Sequence, residues 1–118
     1  MSAKHYIIVY DTTKGFSSFV KKNFGKTYPI AACTSKKKFS AAQFKSYTIC
    51  FFIVNDISDL LNLVRLNTLE IPVVVGTASN ILDSKIDFVK NERMFALDFS
   101  QSKEALFLQL QYYLQVLP

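Results

Sequence analysis

Thr48-Ile-Cys-Phe-Phe-Ile-Val-Asn-Asp56 is the stretch whose reading decides the fold. Its apolar residues, Ile49 to Val54, are mostly β-branched or aromatic, and they run without alternation until the polar pair Asn55 and Asp56. A run this short, with no polar face, is a strand that must be covered on both sides. Such strands belong to parallel sheets, whose crossover connections lay helices on both faces. The polar pair then stands at the carboxyl edge of the sheet, where folds of this kind keep their sites.

The same pattern recurs outward from this strand. Upstream, His5 to Tyr10 reads as a strand closed by Asp11. Phe16, Phe19, Val20 and Phe24 form one stripe on a short helix, with Lys21 and Lys22 on its wet side and Gly25 as its stop. Pro29 to Cys33 makes a second strand, and a proline at its start suits a sheet edge. Ser35 to Lys38 is a basic loop, and Ser40 is expected to cap a short helix through Phe44. Downstream, Ser58 is expected to cap a third helix that turns Leu60, Leu61 and Val64 inward and ends near Asn67. Ile71 to Val75 is another unalternating strand, released by Gly76, and Ile81 to Val89 is weakly helical. Met94 to Leu97 is the last strand, and Ser102 to Leu117 a long final helix.

Strands alternating with helical segments, with no long linker, repeat or low-complexity tract, describe one α/β domain over residues 1–118. Right-handed crossovers lead to a five-stranded parallel sheet in the flavodoxin-like order 2-1-3-4-5, with helices on both faces. In that order Cys33 and Cys50 lie on strands separated by the first, too far apart to bridge, and both read as buried apolar residues.

Composition removes several classes of protein. Half of the 118 residues are hydrophobic, which excludes a disordered chain, and no apolar run approaches the roughly 20 residues of a membrane span. Met1 to Tyr10 has no signal-peptide pattern, so the cytoplasm is the expected location. The net charge of +5 hides an asymmetry. Up to Ser46 nine lysines face one acid, whereas from Tyr47 onward five basic residues face eight acids. A basic flank at Lys21, Lys22, Lys36, Lys37 and Lys38 suits nucleic acid or an acidic partner; without arginines or interleaved aromatics, a solvated surface is the simpler reading. No phosphate-binding loop, nucleophile elbow or dinucleotide fingerprint is present, and the sole histidine, His5, reads as a surface residue. No catalysis, metal or cofactor is expected.

At the carboxyl edge the candidate residues are Asp11, Thr12, Thr13 and Gly15, Lys36 to Lys38, Asn55 and Asp56, Gly76 to Ser79, and Asp98. Here Ile71-Pro-Val-Val-Val-Gly-Thr-Ala78 resembles the fourth strand of response-regulator receiver domains, in which a proline opens an aliphatic run and a hydroxyl residue followed by alanine closes it. That resemblance implies a phosphoacceptor aspartate after strand 3, an acidic pair after strand 1 that holds Mg²⁺, the strand 4 hydroxyl, and a lysine after strand 5. Thr77 falls on the hydroxyl position, Phe95 on the switch aromatic, and either Asn55 or Asp56 on the acceptor position. Asp11 matches one acid, but Thr12 and Thr13 follow it, and Asp98 with Phe99 replaces the expected lysine and proline. A carboxylate in the lysine's place opposes charge growing on a phosphoryl group. The sequence is therefore expected to be a degenerate receiver that acts by protein interaction, with ordinary phosphorylation of Asp56 as an alternative.

Asp11-Thr-Thr-Lys-Gly-Phe-Ser17 also resembles the phosphate loop of flavodoxins, which implies FMN binding and electron transfer as another alternative. On the final helix Leu106, Leu110, Tyr113 and Leu117 share the inward sector, while Leu108 and Tyr112 point outward with Phe107 at the border. In receivers the face made by helix 4, strand 5 and helix 5 is the usual docking or dimerisation surface. The resemblance thus implies that Phe107, Leu108 and Tyr112 contact a protein partner or a second copy.

Overall fold

The computed structural model describes residues 5–77 and 91–118. Its strands are β1 (Ile7–Tyr10), β2 (Ile30–Cys33), β3 (Ile49–Val54), β4 (Val73–Thr77) and β5 (Met94–Leu97), forming one parallel sheet in the order 2-1-3-4-5. Helices α1 (Gly15–Phe24), α2 (Ala41–Phe44) and α3 (Ile57–Arg65) and a C-terminal helix (Lys103–Val116) complete the described elements, with a 3-10 turn at Lys36–Lys38. The fold is the flavodoxin-like one expected. The expected helix at Ile81 to Val89 lies outside the described residues.

Burial explains the arrangement. All residues of β3 are at most 1% exposed, and the strand's alternation sends Cys50, Phe52 and Val54 to one face and Ile49, Phe51 and Ile53 to the other. α2 and α3 cover the first face through Phe44 and Leu63; α1 and the C-terminal helix cover the second through Phe16, Val20, Phe24, Leu110 and Leu114. Leu114 joins the inward set that the sequence pattern assigned to Leu106, Leu110, Tyr113 and Leu117, of which only Leu110 is fully buried. β2 is an edge strand, so Pro29, with no amide hydrogen to pair, precedes it without loss. Cys33 and Cys50 are both buried free thiols. Among the described residues no helix is long and apolar enough to cross a membrane.

Four local expectations fail. Gly76 does not release β4; it pairs within the sheet between Ile53 and Leu97, where a Cβ would sit 3.3 Å from Ile53 Cδ1. Ser40 stands before α2 without a side-chain capping bond. α3 is capped by Asp56 and not by Ser58, because Asp56 and Asp59 close a reciprocal capping box: Asp59 N donates to Asp56 Oδ1 at 3.0 Å, and Asp56 N donates to Asp59 Oδ2 at 3.3 Å. His5 is buried, its ring bonded through Nδ1 to Thr48 Oγ1 at 2.9 Å and through Nε2 to the Leu117 carbonyl at 3.0 Å.

The register of α3 departs furthest from expectation. Leu61 and Val64 are 60% and 40% exposed, Leu60 is half-buried, and the helix buries Asp59, Asn62 and Leu63 instead. Ile57, Leu60, Leu61 and Val64 fall within about 100° of helix arc, so periodicity alone points that sector inward and not the buried face. A hydroxyl beneath the helix selects it. Tyr10, fully buried on β1, donates to Asp59 Oδ1 at 2.7 Å and accepts from Asn62 Nδ2 at 3.1 Å. A buried hydroxyl left without a partner costs about 1–3 kcal/mol, so turning the helix to hide Leu61 would strand it.

Candidate functional site

The register aligns the strand ends along one edge: Tyr10 lies opposite Cys33 and Phe52, Val54 opposite Thr77, and Gly76 opposite Leu97. Asp11, Asn55, Thr77 and Asp98 therefore leave the sheet on the same side. Asn55 Nδ2 reaches Thr12 Oγ1 at 3.4 Å, which joins the ends of β1 and β3, and Thr77 closes β4 beside Val54.

Asp11 is fully buried, and its carboxylate is occupied by its own turn. Oδ1 accepts from Thr13 N at 3.2 Å and Thr13 Oγ1 at 2.8 Å, and Oδ2 accepts from Ser17 N at 3.0 Å. Ser17 N is one of the amides that open α1, so Asp11 caps that helix from outside it. The same bonds hold Lys14 at a left-handed φ of 70°, a conformation that disfavours a side chain.

This geometry answers two questions raised by resemblance. For Mg²⁺, Asp11 would have to give up its capping bonds, and Thr12 supplies a hydroxyl where a second carboxylate is needed, so the donor set does not fit the ion. For a flavin phosphate, Thr13 N, Thr13 Oγ1 and Ser17 N already point at a carboxylate, and Ser17 Oγ donates to the Lys14 carbonyl at 3.0 Å. A buried anion occupies the place a phosphate would take. The loop does not fit FMN either.

Asp56 is half exposed and forms an ion pair with Lys36, whose ammonium arrives from the 3-10 turn after β2. Lys36 and the Ser58 hydroxyl, which donates at 2.7 Å, pull the Asp56 carboxyl down to about 2. The pair in turn raises the Lys36 ammonium. A lysine thus reaches Asp56 from the turn after β2 and not from β5, a role the sequence reading missed when it treated Lys36 as part of a basic loop.

Asp98 does not join these residues through its hydrogen bonds. Its carboxylate accepts from Ser100 N at 2.9 Å, Ser100 Oγ at 2.6 Å and Gln101 Nε2 at 2.8 Å, which holds it below the usual range. Its backbone exchanges bonds with the Gln109 amide. The opposition expected from a carboxylate in the lysine position is therefore turned into its own exposed loop. Phe99 packs on Phe16, ring centroids 5.2 Å apart, between β5 and α1.

Beneath the edge lies a buried network that no motif announced. Asp59, fully buried, accepts from Tyr10 Oη, Asn55 N at 2.8 Å and Asp56 N, so one carboxylate positions both Asn55 and Asp56. Tyr10 stacks on Phe52 at 4.2 Å, and burial foremost pushes its phenol up. Only the Asp-x-x-Asp spacing of Asp56 and Asp59 could have signalled any of this, as a capping box.

The remaining candidates are placed as follows. Phe95, half-buried, faces the C-terminal helix, its ring 5.9 Å from Tyr113. Leu108 and Tyr112 are 60% and 59% exposed, with Val116 one turn beyond them, and Phe107 stacks on Phe24 at 4.9 Å. Lys21 and Lys22 lie on α1 and Lys36 to Lys38 on the turn beside α3, elements that cover opposite faces of the sheet.

No family model and no curated protein matches the sequence. Solved structures match its fold. A CheY-like response regulator receiver domain from Methanospirillum hungatei superposes with a TM-score of 0.69 at 12% identity, covering 96% of this chain and 95% of that one. The chemotaxis protein CheY4 of Vibrio cholerae gives 0.69 at 13% identity, with 93% and 98% covered. A signal receiver domain from Vibrio parahaemolyticus gives 0.66 at 15% identity, with 96% and 92% covered. The chain therefore has the CheY-like form of the flavodoxin-like fold.

Proposed function

We propose that this chain is an atypical receiver-like signalling module of the cytoplasm, non-catalytic, that works through protein contacts and is not phosphorylated by the usual Mg²⁺-dependent route. One observation carries the reading: the Asp11 carboxylate is spent on Thr13 and Ser17, and no second acid follows it. Without a seated cation, the ammonium paired with Asp56 among the described residues is that of Lys36, and it already balances the carboxylate itself. The contact surface is the outward side of the C-terminal helix, where Leu108 and Tyr112 expose apolar area and no charged residue follows Glu104.

The test is incubation with Mg²⁺ and acetyl phosphate or beryllofluoride. No phosphoryl mass gain and no change in the amide spectrum are expected; an adduct lost in Asp56→Asn would overturn the reading. Leu108→Glu and Tyr112→Glu should each abolish self-association or partner binding while keeping the fold. Wild-type behaviour of both in sedimentation and pull-downs would leave that surface without a role. The phosphoacceptor alternative retains one favourable observation, the half-exposed Asp56 beside an ammonium group, and the same incubation decides it.

A further inference from the structure

The face of α3 that should have been buried is the one the structure leaves open. Ile57, Leu61 and Val64 are 50%, 60% and 40% exposed and stand at i, i+4 and i+7, which makes a straight apolar seam roughly 10 Å long. The seam has positive ends. At its start the Lys36–Lys38 turn is tied to the helix through the Lys36–Asp56 pair, which leaves Lys37 and Lys38 exposed and uncommitted to any carboxylate among the described residues. At its far end Arg65 is exposed beside Val64. The carboxylates of α3 offset none of this, since Asp56 is paired with Lys36 and Asp59 is buried under the helix.

We infer that this seam docks an acidic amphipathic helix of a partner protein, apolar along one side and flanked by carboxylates that meet Lys37, Lys38 and Arg65. Charge decides against a second copy of this chain: a two-fold pairing of the same surface sets the lysine end of one helix against the arginine end of the other, positive against positive. The apolar seam decides against nucleic acid, which would use the lysines and leave Leu61 idle. A helix laid along a seam of i, i+4, i+7 anchors is a standard mode of peptide recognition. The surface is separate from the C-terminal helix, so this inference does not depend on the function proposed above.

The experiment is a titration of the isotope-labelled full chain with a synthetic helical peptide carrying Leu at i, i+4 and i+7 and Glu on both flanks. A second peptide has Lys in place of every Glu. Saturable amide shifts are expected at Ile57, Leu61, Val64 and the Lys36–Lys38 turn, with roughly tenfold weaker binding of the lysine peptide and further weakening as salt rises. Leu61→Glu and the pair Lys37→Glu and Lys38→Glu, all at exposed positions, should each weaken the acidic peptide by roughly tenfold, while Leu108→Glu leaves it unchanged. The inference is overturned by no saturable shift at millimolar peptide, by equal affinity for both peptides, or by shifts confined to the C-terminal helix. Self-association lost in Leu61→Glu, or binding of an oligonucleotide in place of the acidic peptide, overturns it as well.

Discussion

Asp11 lies fully buried under the amides of Thr13 and Ser17, so its carboxylate caps α1 before it can serve any other purpose. Asp11→Ala removes these bonds and should lower stability by about 1–3 kcal/mol in urea unfolding, with Asp11→Asn closer to wild type because it keeps one acceptor. A carboxylate free to hold a cation would behave otherwise, and its removal would leave stability unchanged or raise it. At Asp56 the folded carboxyl is held near 2, below its ordinary 3.8. A depressed carboxyl stabilises the fold above its ordinary value, and the contribution fades as pH falls from about 4 towards 2. Exposure limits its size to at most about 1 kcal/mol. Lys36→Met should raise the Asp56 midpoint towards its ordinary value in a carboxyl NMR titration, and an unmoved midpoint would mean that Lys36 is not the cause.

At the scale of elements, α3 shows how a polar network outranks apolar periodicity. Rotating the helix to bury Leu61 would gain about 1.5–3 kcal/mol for that side chain but would strand the Tyr10 hydroxyl, Asn62, the Asp59 carboxylate and the amides of Asn55 and Asp56. Tyr10→Phe should therefore cost about 1–3 kcal/mol, more than one hydrogen bond is worth net, because Asp59 and Asn62 lose a buried partner together. In Tyr10→Phe with Asn62→Leu the loss should be partly recovered. An additive double-variant cycle in chemical denaturation would show that these two side chains are not coupled.

For the whole molecule, the sheet fixes the strand ends and His5 fixes the chain ends. Its ring joins Thr48 to the carbonyl of Leu117, a contact across 112 residues that holds the C-terminal helix against the start of β1. His5→Ala should speed amide exchange in the last turn of that helix and lower stability by about 1–2 kcal/mol, while β3 keeps its protection. Protection unchanged at Tyr113 to Leu117 would show that packing alone holds the helix.

The five strands, their order in the sheet, the edge placement of β2 and the carboxyl edge that gathers Asp11, Asn55 and Thr77 were legible in the sequence, because unalternating apolar runs and short connections admit few topologies, although β4 runs two residues further than its apolar run suggested. The outward pair Leu108 and Tyr112 was legible too, since the two stand four apart and roughly opposite Leu106, Leu110 and Tyr113 on the helix. Only the tertiary structure decided which side of α3 faces inward, that His5 is a buried clasp, that Asp98 turns into its own loop, and that Lys36 is the cation beside Asp56. For α3, His5 and Lys36 the reason is shared: buried or paired polar groups choose partners distant in sequence, and local pattern carries no record of that choice. Asp98 bonds instead to its near neighbours Ser100 and Gln101, a choice among several local polar groups that the folded loop makes.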